Sequence, residues 1–291
     1  MRNLTPVTIS LIIPNFNYGE FLEECINSVL DQTVTPDEII IIDDCSSDNS
    51  LEILSRFENN KQIKIIRNRK NLGIVDNFNK AIKASTSDYI VFVGADNRIK
   101  KTFVEEYKKA ISKDTEAAIL YCDITIFGPR ACLLAETTNA KNNNDGSYSW
   151  VFPEPSDENI KRLETTNFMH GSSIYRRDWY QKVGGYQDNG IPEDFDLFRR
   201  IVFAGGLPVH VNAETLEYRQ HSPDQSQTKI NLETKIVELL QRNKVLEEEI
   251  ERVDSVLKDR DKEIYELNNK LNSLSEKIIG KIKRIIKKIK I

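Results

Sequence analysis

The sequence predicts an α/β domain, a parallel sheet covered by helices on both faces, followed by a long α-helical coiled coil. Three observations carry this. Over the first hundred residues short, continuous apolar runs alternate with segments of helical spacing, the pattern of strands buried on both faces. Polar residues gather just after several of those apolar runs. From Lys229 onward apolar residues recur every seven positions with no proline to interrupt them.

Taken in order, Val7–Pro14 (VTISLIIP) is a short, β-branched strand. Tyr18–Asp31 carries Phe21, Leu22, Cys25, Ile26, Val29 and Leu30 at helical spacing. Glu38–Asp43 (EIIIID) is a second buried strand and Asp48–Phe57 a second helix. Lys61–Arg67 is a third strand, Ile74–Ala84 a third helix and Asp88–Val93 (DYIVFV) a fourth strand. The polar groups Asn15–Asn17, Asp43–Asp48 and Asp96–Asn97 follow strand ends, the edge at which open α/β sheets bind ligands. The stretch Phe127–Thr165 is less regular, and Lys141–Asp145 reads as a loop. Order returns with Ser172–Tyr175, a helix from Arg177, a helix after Pro192 closed by Gly205-Gly206, and a last strand beginning Pro208–Val211.

The tail differs in kind. Ile236, Asn243, Ile250, Leu257, Ile264, Leu271 and Ile278 form one heptad series, and Leu232, Leu239, Leu246, Val253, Leu267 and Leu274 form the second. Such a seam predicts a parallel homodimer, with Asn243 setting two strands and register and Arg260 weakening the middle. The last fifteen residues set isoleucines against seven cations, the character of a basic amphipathic helix on an anionic membrane surface. The expected organisation is therefore an α/β domain over 1–228, a coiled coil over 229–276 and a basic amphipathic helix over 277–291.

Composition narrows the class. The chain has 291 residues, 39% of them hydrophobic, with twelve Phe, enough for a packed core. The formal charge is −4, and a mildly acidic body argues against nucleic acid as partner. Cys25, Cys45, Cys122 and Cys132 form no CxxC pair, and three His are too few for a zinc cluster. Reduced cysteines point to a cytoplasmic setting. The first apolar run ends at Pro14, which argues against a signal peptide, and no run approaches the ~20 apolar residues of a membrane span. The expected location is cytoplasmic, peripheral on the inner face of the cell membrane. GxxxxGK[ST] and GxGxxG are both missing, against ATPase and dehydrogenase chemistry.

Four segments, VTISLIIPNFNYGEFLEECINSVLDQT, IIIIDDCSSDNS, SDYIVFVGADN and MHGSSIYRRDWYQKVGGYQDNGIPEDFDLFRR, together resemble a family 2 glycosyltransferase of the GT-A fold over about residues 7–225. The resemblance implies a Rossmann-like mixed sheet and an inverting hexosyl- or deoxyhexosyltransferase. Its donor is a nucleotide-diphospho-sugar and its acceptor a glycan or lipid-linked glycan of cell-surface polysaccharide synthesis. Pro14 and Phe16 fall in the donor-binding loop; a flat ring at Phe16 suits a nucleobase, or packs on the sheet edge. By resemblance Asp44 reads the base, although an acid there also suits a helix cap. The family's DxD is reduced here to Gly94-Ala95-Asp96, leaving Asp96 as ligand for Mg²⁺ or Mn²⁺. Arg219 and His221 match a stretch that closes over the diphosphate, with His221 a second metal ligand. Asp194 is the implied catalytic base, with Glu193 and His170 nearby, while acids at a helix start also favour its dipole. A different class stays open: a non-catalytic nucleotide-sugar-binding or scaffolding subunit.

Overall fold

The computed structural model describes residues 7–221 and 227–289. They fall into two compact units divided between Ser222 and Pro223, each described by itself below. The expected break at Gln225–Thr228 lies partly outside the described residues.

The first unit opens β1 (Ile9–Asn15), α1 (Gly19–Leu30), β2 (Glu38–Asp43), α2 (Ser50–Phe57), β3 (Ile63–Arg67), α3 (Ile74–Lys83), β4 (Tyr89–Phe92), within one to two residues of the periodicity reading at most ends. Leu11–Ile13 and Ile39–Ile42 are at most 2% exposed. With helices on both faces, a strand loses its alternation, and each buried Ile or Leu contributes about 1.5–3 kcal/mol. The unit continues β5 (Arg98–Ile99), α4 (Phe103–Lys113), β6 (Ala117–Phe127), α5 (Ala131–Thr138), β7 (Lys141–Asn142), β8 (Tyr148–Trp150), α6 (Asp157–Arg162), β9 (Ile174–Arg176), α7 (Arg177–Lys182), α8 (Glu193–Phe203) and β10 (Leu207–Arg219).

The sheet runs β3-β2-β1-β4-β9-β6-β10-β5, with β7 and β8 hung from β6. It is mixed, as the resemblance implies, and the parallel sheet that periodicity predicts for the first hundred residues is its β3-β2-β1-β4 part. β1, β2, β3 and β4 are parallel, but β9 is antiparallel to both β4 and β6. Three residues of β9 hold no pattern from which a direction could be read. Because β9 opposes both neighbours, β6 runs the same way as β4, and β10 is parallel to β6. The carboxyl ends of β1, β2, β4, β6 and β10 thus lie at one sheet edge, and the chain enters β9 from that edge too.

One local expectation changes. Lys141–Asn142 pairs with Tyr148–Ser149 as a short hairpin where a loop was expected. The last strand, expected to begin at Pro208–Val211, runs thirteen residues from Leu207, with register shifts at Val211/Glu214 and Glu214/Leu216. Such bulges bend a strand and increase its twist, and this one carries Arg219 to the sheet edge. Cys25 and Cys122 are buried and all four cysteines are free thiols.

The second unit is one helix, α9 (Gln227–Ile289). Its heptad residues Leu246, Ile250, Val253, Leu257, Ile264, Leu267, Leu271, Leu274 and Ile278 are 46–65% exposed. The side chains of Leu232, Ile236, Leu239, Asn243 and Ile285 onward lie outside those described. Among the described residues no helix is long and apolar enough to cross a membrane.

Candidate active site

The loop after β1 and the loop after β2 hold each other. Pro14 sits in β1 opposite Ile42. Asn15 donates to Asp43 Oδ1 at 2.7 Å. The Asp43 carboxylate also accepts from the Ser46 amide at 3.0 Å and hydroxyl at 2.6 Å, so it folds its own loop. Phe16 is half-buried in the bend that follows β1. Asp44 is 4% exposed and accepts from Asn68 Nδ2 at 2.7 Å and from the amides of Leu72 at 2.9 Å and Gly73 at 3.0 Å. A carboxylate offers about four acceptor positions, so one on Oδ2 is left for a further donor. The helix-cap alternative is not what this geometry shows, because the donors come from the chain ahead of α3.

The loop after β4 carries the acid at the centre of the sheet. Asp96 Oδ2 lies 2.8 Å from His221 Nε2. A carboxylate only accepts, so Nε2 carries the proton and donates. The His221 ring lies against Tyr18 at 5.7 Å and Phe21 at 5.0 Å between centroids, and its Nδ1 is buried without a partner among the described residues. Arg219 ties the loop to the end of β10: its amide donates to Asn97 Oδ1 at 2.9 Å and its Nε to the Asp96 carbonyl at 2.8 Å. Its guanidinium lies between the rings of Phe21 and Phe127 and pairs with Glu24. In this arrangement Arg219 holds the Asp96 loop in place, and its charge is met by Glu24. A Cβ at Gly94 would stand 2.7 Å from Asp96 Oδ1 and 2.9 Å from Asn97 Nδ2, so the missing first acid leaves room for the present positions of Asp96 and Asn97.

The third acid opens α8. Pro192 leads into the helix, and Asp194 Oδ1 accepts from the Phe195 amide at 2.7 Å. Burial raises the pKa of Asp194, and burial with the neighbouring Asp194 charge raises that of Glu193. Asp196, one turn in, is fully buried and pairs with Arg200 at 2.7 Å, which anchors the helix and leaves Asp194 at its start. Gly171 packs against Asp194; a Cβ there would lie 3.3 Å from Oδ2. His170 serves the fold: Nε2 is 3.3 Å from the Cys122 amide and 3.2 Å from its carbonyl, and burial pushes its pKa down to about 4. Its Nδ1 is buried without a partner among the described residues.

Tyr218 joins the two halves. The side chain is 37% exposed, but burial at its hydroxyl end raises its pKa, and the charges of Asp96 and Asp194 both add to the rise. Both carboxylates therefore lie close enough to act on one phenol. Asp44 lies two strands away on the same edge. Sequence reasoning missed Tyr218, Tyr18, Glu24 and Gly171. Tyr218 stands beside Arg219 in YRQH, but only the length of β10 shows where it points.

Among the described residues no group of three or more His, Cys, Asp and Glu is gathered for a metal ion. Asp96 and His221 still fit a divalent cation shared with a substrate. Hard cations such as Mg²⁺ are commonly held by one or two protein side chains and complete their shell with phosphate oxygens and water, and the His221 nitrogen beside the acid, Nε2, becomes a ligand once it gives up its proton and its bond to Asp96.

Residues 10–184 match the profile of glycosyl transferase family 2. The chain is 28% identical over 234 residues to the hyaluronan synthase of Pasteurella multocida and 29% identical over 211 residues to the chondroitin synthase of the same species. These matches take in 78% and 70% of this chain but only 22% and 20% of the relatives, so the chain spans about a fifth of their length. Among solved structures, S. aureus TarS 1-349 in complex with UDP-GlcNAc aligns with a TM-score of 0.57 at 19% identity, over 74% of this chain and 59% of that one. This likeness is one of fold, and the mixed sheet with its covering helices is the GT-A fold.

Proposed function

The chain belongs to glycosyl transferase family 2, and from that footing we propose that its first unit is an inverting glycosyltransferase. It moves a sugar from a nucleotide-diphosphate donor to a glycan acceptor in cell-surface polysaccharide synthesis. The observation that carries this is that the charges of both Asp96 and Asp194 bear on the Tyr218 phenol and raise its pKa, so the two acids share its surroundings. Inverting transfer needs those two acids on one site, one at the leaving diphosphate and one at the incoming hydroxyl.

The donor's base lies over the loops after β1 and β2. Phe16 offers a ring for stacking, and the open position on Asp44 Oδ2 accepts an imide N–H. Asp96 and His221 would hold Mg²⁺ or Mn²⁺, and that cation, when bound, neutralises charge on the departing diphosphate. Arg219 keeps the Asp96 loop in register. Asp194, raised toward neutrality by burial, takes the proton of the acceptor hydroxyl. The hydroxyl oxygen bonds to the anomeric carbon from the face opposite the leaving group. The bond from that carbon to phosphate oxygen breaks, and the nucleoside diphosphate departs with the electron pair.

The same reading extends along the chain: a catalytic unit over 1–228, a parallel dimeric coiled coil over 229–276, and a basic helix over 277–291 that lies on the anionic inner face of the cell membrane, near lipid-linked acceptors. The test is Asp194→Asn, with UDP-, dTDP- and GDP-sugars offered alongside Mg²⁺ or Mn²⁺. One donor should raise the melting temperature of wild type and variant alike, while transfer falls by ~10²–10⁴ in the variant, the worth of a positioned base. Full turnover by Asp194→Asn would refute the mechanism, and a cellular role that survives the substitution without any turnover would favour a scaffold.

A further inference from the structure

A cavity of about 470 Å³ opens beside Asp194, between β6, β8 and the chain leading into β9. Its walls include Trp150, Phe152, Arg162, His170, Gly171 and Tyr218. Two of these belong equally to the active site: Gly171 touches Asp194, and Tyr218 feels both Asp194 and Asp96. Gly171 therefore stands between the cavity and the proposed base. None of its remaining walls takes part in donor binding as set out above.

Three features define what it suits. Trp150 and Phe152 stack at 4.5 Å with planes 28° apart, and with Phe168 and Tyr218 they give the mainly apolar lining an aromatic side. Flat aromatic surface packs the C–H face of a pyranose. His170 is a wall whose Nδ1 is buried with no partner among the described residues, a costly condition that a hydroxyl would relieve once the wall shifts to admit it. A sugar hydroxyl both donates and accepts, so it satisfies Nδ1 in either tautomer. Arg162 is exposed and enters no ion pair with the described residues; its contact is a 3.5 Å approach to Asn159 Oδ1. A free guanidinium beside an aromatic pocket selects an anionic group. The volume lies in the range of small-ligand sites.

We propose that this cavity is the acceptor subsite and that it takes the end of an acidic glycan. The terminal ring packs on Trp150 and Tyr218, a hydroxyl meets His170 Nδ1, a carboxylate or phosphate meets Arg162, and the reacting hydroxyl faces Asp194. The inference rests on the glycosyltransferase reading above, which it deepens.

Trp150 and Trp179 are the two tryptophans of the chain, so full-length protein carrying Trp179→Phe reports on the cavity through Trp150 emission alone. Three probes separate the sources of charge: a glucuronate-terminated oligosaccharide, a glycerol-phosphate oligomer, and the first oligosaccharide with its carboxylates reduced to alcohols. One acidic probe should change Trp150 emission saturably and bind about tenfold more tightly than the neutral one, the scale of a single charge-assisted contact. Arg162→Gln should remove that preference while the thermal shift by nucleotide-sugar and Mn²⁺ stays unchanged. Silence of Trp150 to both acidic probes overturns the proposal, as does equal binding of the neutral probe or a preference that survives Arg162→Gln. If the nucleotide-sugar shift is itself absent in wild type, the donor reading fails instead, and the two failures are told apart.

Discussion

Replacing Gly94 by alanine tests the arrangement at the centre of the sheet with one methyl group. The added Cβ would sit 2.7 Å from Asp96 Oδ1 and 2.9 Å from Asn97 Nδ2, whereas ordinary contact begins at 3.4 Å. Both side chains would have to retreat by several tenths of an ångström. Neither is free to do so at no cost, since Asp96 Oδ2 meets His221 at 2.8 Å and Asn97 Oδ1 accepts the Arg219 amide at 2.9 Å. Losing one hydrogen bond to a carboxylate in a site where Asp96 and His221 are 17% and 10% exposed costs about 1.5–3 kcal/mol. At ~1.4 kcal/mol per factor of ten, donor affinity in the presence of Mn²⁺ should fall by roughly 10- to 100-fold. Titration calorimetry with the donor found by the nucleotide-sugar panel measures this directly, and melting in the absence of donor shows whether the fold survives. Gly94→Asp carries the same collision, so restoring the family's first acid should weaken binding rather than strengthen it. Unchanged affinity in Gly94→Ala, or a gain in Gly94→Asp, would refute the reasoning.

Other consequences can be measured as readily. Asp194 has a raised pKa, and a base works only when deprotonated, so kcat/KM should fall with decreasing pH through a value above the 3.8 of an ordinary Asp, a limb missing from the residual activity of Asp194→Asn. His210 faces Asp123 Oδ1 through Nε2 and Glu154 Oε1 through Nδ1, each at 2.9 Å, and hydrogen bonding to Asp123 leads in raising its pKa above 6.5. Both contacts need both N–H groups, so this stabilisation is complete below the unfolded value and is lost as pH rises through the higher folded one. Melting temperature should drop across that interval in wild type, and His210→Gln should flatten the drop. Ile264 and Leu271 are 54% and 65% exposed along α9; if a second copy covers them, light scattering should show a dimer that Ile264→Lys with Leu271→Lys reduces to monomer. Truncation after Ser275 should abolish binding to anionic liposomes at low salt, and unchanged binding would exclude the basic helix as anchor.

Much of the frame was legible because its determinants are local. Leu11–Ile13 and Ile39–Ile42 are apolar at every position, which is what two covered faces require, and Phe21 to Leu30 repeat at the period of a helix. The acids Asp44, Asp96 and Asp194 stand out since each follows a strand or opens a helix. Burial cannot be read this way when its cause is distant. Trp150 and Phe152 sit in a stretch without period, and nothing near them in sequence shows that they share a cavity with Tyr218, which lies beyond three further helices and a strand. His170 drew attention as a lone histidine beside a motif, yet its ring nitrogen is engaged by the backbone of Cys122 in another strand.

The amino-acid order alone determined the strand–helix alternation, the residue types offered at the sheet edge and the seven-residue repeat of the tail, because backbone propensity and hydrophobic period act over a few neighbouring residues. Tertiary structure alone decided that β9 runs against its neighbours, that Asp96 meets His221 across 125 positions, and that Arg219 is matched by Glu24. Those outcomes depend on which distant surfaces exclude water together. That choice is made by the packing of the whole domain and leaves no periodic trace in the chain.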